Sequence, residues 1–266
     1  VSQLDSAMDV FKLLQGTNCR ECFAPSCLAF AVAVFKGDRR LGDCPYVDGR
    51  IIELFEGQSR NRAGTELEHQ QALEPLKQKV AAIDFSSSVE RLRASLSGDK
   101  LIVKCLGKDF SVCPDGGIIS DCHVHAWVTE PLLNYVISCS GRDLSGKWVP
   151  FRELSNGVTW GPLFADQFEK PLKQIADSHP ELFENMIHIF NGRPTASGIG
   201  ADISIVLYPM PRTPMLICYW NAEDGLESTL HVFVDSTAED NLNIEAIFTL
   251  CVGLVRMFEK IADSHG

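Results

Sequence analysis

Four cysteines, Cys19, Cys22, Cys27 and Cys44, stand in the spacing C-x2-C-x4-C-x16-C, with Pro45 directly after the last. Thiolates are the ligands of iron–sulfur clusters, and a [4Fe-4S] cube asks for four of them at unequal spacing. Three come from one tight loop that wraps the cluster, and a separate segment returns the fourth. The run from Thr17 to Cys27 supplies such a loop, stiffened by Pro25. Leu28 to Phe35 is apolar throughout and reads as a buried helix that carries the chain away and brings Cys44 back to the open vertex. Zinc, a disulfide pair and ordinary buried thiols are the competing readings. Zinc sites pair two short knuckles across a spacer, whereas the distal half here is a solitary cysteine. A disulfide framework belongs to small secreted domains, and 266 residues are enough for a hydrophobic core. The spacing favours the cluster, with zinc next.

Other residues carry weaker signals. His123-Val124-His125, read as part of a strand, puts two imidazoles on one face, but nothing nearby completes a metal site. Cys105, Cys113, Cys122 and Cys139 match no cluster loop and read as small hydrophobes of strand cores. Arg152, Glu153 and Asp202 either bind a ligand or lock turns. Arg212, between two prolines, grips a small anion with its planar fork or pins a loop by an ion pair. The glycine-rich stretch from Gly192 to Gly200 precedes a strand, the wrong order for a phosphate cradle.

Composition bounds the function. The chain is 45% hydrophobic and 22% charged, with ten cysteines and a formal net charge of -11. Nucleic-acid binding needs clustered Lys and Arg to displace counterions, so none is expected. No run of apolar residues is long enough to suggest a membrane span. With ten cysteines and no leader read at its start, the chain is expected in the reducing cytoplasm, where thiols persist and a cluster survives. Charge is uneven: residues 221–266 hold nine acidic against two basic residues, and residues 1–58 eight against six. The acidic end is a solvated face, or it steers a basic partner.

The elements that must position these residues follow from periodicity. A helix from Leu4 to Gln15 is predicted by Leu4, Met8, Phe11 and Leu14. A second helical stretch from Thr65 to Ser97 is expected to kink or break at Pro75, with a capping box at Ser87-Ser88-Val89-Glu90. The period then changes to two. Residues 101–105 and 110–113 flank a turn at Leu106–Asp109, and a third extended stretch runs from Ile118 to Val128. Helices are predicted at Glu130–Ser138, Leu163–Ser178 and Pro180–Phe190. Strands follow at Ile203–Tyr208, Met215–Trp220 and Leu230–Val234, before a closing helix at Ile244–Ile261. Strands and helices interleave without a repeated βαβ unit, which predicts an α+β fold: a small helical cluster module, then a larger domain with a mainly antiparallel sheet. The predicted boundaries are an iron–sulfur module at residues 1–58, a helical connector at 59–98 and an α+β domain at 99–266.

Two resemblances extend this reading. Leu14 to Pro45 resembles the iron–sulfur module of the large subunit of the corrinoid iron–sulfur protein of acetyl-CoA synthesis, and that of the Rnf electron-transport complex B subunit. That family carries glycine after the first two cysteines where this chain has Arg20 and Phe23, a departure that makes the loop less tolerant of positive φ. Trp148 to Leu154, Gly200-Ala201-Asp202, Pro211 to Ile217, Tyr219-Trp220, Phe233 to Ser236 and Asn241 to Glu245 resemble the blocks of domain-of-unknown-function family 3786. The acidic stretch after Trp220 departs from that family. The resemblance implies an anaerobic setting and an iron–sulfur module in front of the domain, and it brings no reaction.

Together these features predict a [4Fe-4S] redox protein that relays single electrons to a protein partner or bound cofactor, with a corrinoid or corrinoid protein as one recipient. The alternative is a sensor in which the cluster is structural and the second domain binds a small anionic ligand or a protein. Without a nucleophile–base constellation, an electron-transfer or accessory role is expected rather than that of a stand-alone enzyme.

Overall fold

A computed structural model describes residues 7–36, 39–52, 73–122, 124–179, 184, 187–196, 198–223 and 225–265. The chain divides into two compact units, residues 1–71 and 72–266.

In the first unit a short helix, Ala7–Lys12, packs on a second, Cys27–Lys36. The second is apolar enough to bury Phe30, Ala31 and Val34, and Ser26 starts it by accepting the Ala29 N–H at 3.1 Å. A 3-10 turn at Leu41–Asp43 then delivers Cys44. Val10, Phe30, Ala31, Val34 and Leu41 form one core with Cys22, Ala24 and Cys44.

The second unit holds two antiparallel sheets. One runs β1 (Ser95–Ser97), β2 (Lys100–Cys105), β3 (Lys108–Val112), β4 (Ile118–Ile119) in order. The other contains β5 (Trp148–Pro150), β6 (Arg193–Pro194), β7 (Ile203–Met210), β8 (Thr213–Trp220) and β9 (Thr229–Asp235) in the order β5-β9-β8-β7-β6. Every recorded strand pair is antiparallel, as the α+β reading expected. Alternation sets the faces of the larger sheet. Ile205, Leu207, Met215, Ile217, Val232 and Val234 belong to the main core, and Val206, Leu216 and Cys218 to a smaller cluster with Trp148, Tyr208, Trp220 and Phe233. The closing helix, Ile244–His265, brings Leu250, Cys251, Leu254, Val255 and Phe258 into the main core at helical spacing. Each fully buried aliphatic or aromatic side chain of this kind is worth about 1.5–3 kcal/mol.

Several local expectations are corrected. The helix expected to reach Ser97 ends at Leu92, because Arg93 turns left-handed (φ 48°) and Ser95–Ser97 pairs with β2 across the Gly98-Asp99 turn. Its cap is Asp84, whose Oδ1 accepts the Ser86 hydroxyl at 2.7 Å and the Ser86 N–H at 3.0 Å and which lies below its usual carboxylate range for those reasons in that order, so Ser87 opens no capping box. Residues 73–81 run helical through Pro75 without a break. The stretch after Ile119 is not extended. A helix starts at Ala126 and carries Pro131 inside it, so His125 is an N-cap residue rather than part of a strand. The described part of the predicted connector lies in the second unit, where Leu73, Val80, Phe85 and Leu92 join the main core. The predicted helix at Leu163–Ser178 starts earlier, at Gly157, and most of Pro180–Phe190 lies outside the described residues. Among the described residues no helix is long and apolar enough to cross a membrane.

Candidate functional site

The cysteine loop is built from backbone that alternates in hand. Gly16 (φ 68°), Asn18 (52°), Arg20 (65°) and Phe23 (57°) are left-handed, and Cys19, Glu21 and Cys22 between them are not. Left-handed residues at such close spacing bend the chain sharply, as loops that wrap anions and iron–sulfur centres require. Asn18 fixes the loop from both sides. Its N–H points to Cys27 Sγ at 3.3 Å, and its Oδ1 accepts the Cys27 N–H at 2.7 Å. Cys27 is the first residue of its helix, where the positive end of the backbone dipole favours negative charge.

Cys22 and Cys44 are buried against the apolar wall of Phe30, Val34 and Leu41, Cys27 is half-buried and Cys19 is exposed. Tyr46 bridges the two segments by donating its hydroxyl to Glu21 Oε1 at 2.6 Å. That bond raises the phenol above its usual value, and the sulfurs of Cys19 and Cys44 add to the shift. Among the described residues no three His, Cys, Asp or Glu side chains are gathered tightly enough to hold one metal ion. A cube asks for a wider cage, since it spreads four sulfurs over four irons. No disulfide joins any of the ten cysteines.

Arg20 and Phe23 adopt positive φ despite their side chains, although their departure from glycine argued for a less tolerant loop. A left-handed L-residue costs about 1–2 kcal/mol, and Phe23 is 90% exposed, so its ring offsets little of that. Phe23→Gly should therefore stabilise the loop, by about 0.5–1 kcal/mol after glycine's own entropy is subtracted. Hydrogen exchange of the loop amides under native conditions checks this, and faster exchange in the variant would refute it.

The second unit contains a cleft of about 800 Å³ beside the larger sheet. Strand β5 ends at Pro150, opposite Phe233, and the chain turns into a 3-10 segment at Phe151–Glu153. Among the described residues the edge of β9 beyond that point has no strand to pair with, and the Glu169 carboxylate takes the Val232 N–H at 2.8 Å instead. Glu169 ends a π-helical turn, Ala165–Glu169, inserted in the helical run from Gly157 to Ser178. Such bulges re-aim side chains and recur at functional sites. Burial pushes Glu169 up, while the Val232 N–H, His231 and Arg152 pull it down, and the balance lies above the usual carboxylate range. His231 Nδ1 stands 3.9 Å from Glu169 Oε1.

The other residues singled out in the sequence are placed as follows. Arg152 and Glu153 line the cleft. Asp202 is exposed and accepts the Asn221 N–H at 2.7 Å, closing the end of the β7–β8 pair. Arg212 is 5% exposed, and its fork donates to Arg91 O (2.7 Å), Glu90 O (3.1 Å), Arg142 O (3.3 Å) and Asp143 Oδ1 (2.9 Å). It caps the end of the helix Phe85–Leu92 and lies apart from the cleft residues. Cys105 is buried and pushed up to about 12 by burial, with Cys122 adding to the shift. Cys139 is buried, Cys113 half-buried and Cys122 exposed. His123 lies outside the described residues, and His125 stacks on Trp127. The sequence reading missed Glu169 and His231. Pro171, two residues after Glu169, was the available signal, because its missing N–H disturbs the helical bond pattern.

Residues 84–257 match the family described as a domain of unknown function, DUF3786. Residues 14–46 match one described as "Putative Fe-S cluster", which supports an iron–sulfur cofactor for the loop. Over 195 residues the chain is 25% identical to the acetyl-CoA decarbonylase/synthase complex subunit gamma of Methanocaldococcus jannaschii, covering 71% of this chain and 37% of that protein. Over 51 residues it is 46% identical to the subunit of the same name from Methanothermobacter thermautotrophicus, and 43% identical to the corrinoid/iron-sulfur protein large subunit of Moorella thermoacetica. Each of these two matches covers 19% of this chain and 11% of the relative. The chain thus spans little more than a third of the first relative and about a tenth of the other two. No solved structure matches.

Proposed function

The chain belongs to the DUF3786 family, and because it carries an iron–sulfur segment ahead of that domain we propose that it is a [4Fe-4S] redox protein serving a partner protein or a second cofactor. The observation that supports this reading is the loop from Gly16 to Cys27, bent by four left-handed residues and clamped by Asn18 on Cys27, with Cys22 and Cys44 in one buried cluster. Held by these four thiolates, the cluster supplies reversible one-electron chemistry. The chain's own part is electrostatic and steric. The Asn18 N–H opposes negative charge on the Cys27 sulfur, and Phe30, Val34 and Leu41 keep water from the Cys22 and Cys44 side. Cys19 leaves an edge open to solvent, where a partner can approach.

The names of the relatives, a subunit of an acetyl-CoA decarbonylase/synthase complex and a corrinoid/iron-sulfur protein, support a place in anaerobic one-carbon metabolism. A corrinoid protein, or a corrinoid held by this chain, is then the natural recipient of the electron. A reducing cytoplasm is the compartment that suits ten free thiols.

The test is compositional and optical. Anaerobically purified full-length chain should contain about four iron and four sulfide per molecule, and its visible absorption should bleach with dithionite. Zinc in place of iron, with no bleaching, would sink the reading. The cleft supports a second reading, in which the cluster is structural and the second domain senses a small anion. If Cys27→Ser changed ligand affinity and no redox couple could be measured, that second reading would win.

A further inference from the structure

The cleft beside β9 combines a cation, an acid–imidazole pair and an apolar floor. Arg152 makes no ion pair among the described residues. Its backbone is nevertheless held hard, because the helix starting at Gly157 lies directly on it. A Cβ at Gly157 would fall 2.2 Å from the Phe151 carbonyl oxygen, and one at Gly161 would stand 3.1 Å from Arg152 Cβ. Only hydrogen at Gly157 allows this approach, and a Cβ at Gly161 would push on Arg152 by a few tenths of an ångström, so the guanidinium is presented from a closely packed turn. Beneath it Phe151 and Phe164 stack with ring centroids 4.0 Å apart. Val158, 81% exposed, and Pro162 supply an apolar rim.

On the opposite wall Glu169 keeps one oxygen on the Val232 N–H, and its side chain remains 19% exposed to the cleft. Pockets for small molecules have this composition: a mostly apolar lining with a few convergent polar groups, in a volume of roughly 300–1,000 Å³. A buried acid with an imidazole beside it accepts a hydrogen bond from a donor on a ligand, and an unpaired arginine takes a carboxylate in a fork.

We infer that this cleft binds a small organic acid with an apolar body and a hydroxyl or amino group next to its carboxylate. Arg152 pairs with the carboxylate, Glu169 accepts the donor's proton in a hydrogen bond, and Val158, Pro162 and Phe233 cover the apolar body. The site lies wholly within the second unit and stands whether or not the cluster is redox-active.

Four probes of one shape test it on the full chain by isothermal titration: 3-phenyllactate, phenylalanine, 3-phenylpropanoate and 2-phenylethanol. The hydroxy or amino acid should bind about tenfold or more tightly than 3-phenylpropanoate, and 2-phenylethanol weakest. Whichever of the two binds tighter identifies the donor. Arg152→Ala, which keeps the Cβ against Gly161, should lose about tenfold or more at an unchanged unfolding midpoint, and Arg152→Lys should fall between. Glu169→Gln can still accept the Val232 N–H through its amide oxygen, and it should erase the difference between the hydroxy or amino acid and 3-phenylpropanoate. Absence of saturable binding by all four probes overturns the inference, as does equal affinity in the wild type and both Arg152 variants. Iron content does not enter any of these readouts, so their failure leaves the redox reading untouched.

Discussion

Cys44→Ser is expected to leave about three irons per chain in place of about four, whereas Cys22→Ser should reduce bound iron to near zero. The asymmetry follows from where each sulfur sits. Cys22 lies inside the loop, between left-handed Arg20 and Phe23. Removing its thiolate takes out a ligand together with the only buried sulfur of the loop. Cys44 arrives from another segment, at the end of the 3-10 turn Leu41–Asp43, with its N–H bonded to Leu41 O at 3.2 Å. Serine there leaves the Asn18–Cys27 clamp in place. The loop then keeps three ligands and loses the iron at the fourth vertex. Iron and sulfide analysis with electron paramagnetic resonance on anaerobic samples distinguishes the two variants. Unchanged iron and an unchanged spectrum in Cys44→Ser would remove Cys44 from the ligand set.

Chemical spacing and strand period were legible in the sequence because they are local. The four cysteines lie within 26 residues, and β7, β8 and the closing helix carry their apolar periods openly in Ile203–Met210, Thr213–Trp220 and Ile244–His265. Local pattern also misled. Val124 to Val128 is apolar enough to read as a strand, yet the helix Ala126–Ser138 tolerates Pro131 because tertiary packing buries Val128, Leu132 and Tyr135. Serine-rich Ser86-Ser87-Ser88 hid the cap one residue before Phe85, where Asp84 does the capping.

The cleft was half legible for a different reason. Arg152 follows Pro150-Phe151 and Arg212 follows Pro211, so the two arginines look alike in sequence. One faces a cleft from a turn clamped by Gly157, and the other is buried with its fork on three carbonyl oxygens and one carboxylate. Burial of this kind is set by contacts 69 to 122 residues away, which no window of sequence contains. Glu169 and Val232 are likewise 63 residues apart. They meet because β5 stops short and leaves an edge amide for the carboxylate, a consequence of sheet order rather than of any motif.

Asp235→Ala is expected to destabilise the second unit by about 3–5 kcal/mol, the range for stripping a buried carboxylate from several donors at once. Asp235 ends β9 at 1% exposure. Its carboxylate accepts Ser145 N–H (3.1 Å), Ser145 Oγ–H (3.0 Å), Gly146 N–H (2.8 Å), Thr237 N–H (3.0 Å) and Thr237 Oγ1–H (2.7 Å). Three of these donors are backbone amides that alanine would leave without an acceptor. Asp235→Asn keeps the shape but offers one acceptor oxygen, so it should lose roughly half as much. Burial pushes the carboxyl up, but the hydrogen bonds from Thr237, Ser145 and Gly146 outweigh it and hold the group below its ordinary value. A folded-state value below the unfolded one means that the stabilisation is complete above the unfolded value and is lost as pH falls through the folded one. The gap in urea midpoint between wild type and Asp235→Ala should therefore be full at neutral pH and narrow on acidification below about pH 4. A gap that stays constant across that acid range, or one below about 1 kcal/mol at neutral pH, would show that the loop at Ser145–Gly146 finds its hydrogen bonds elsewhere.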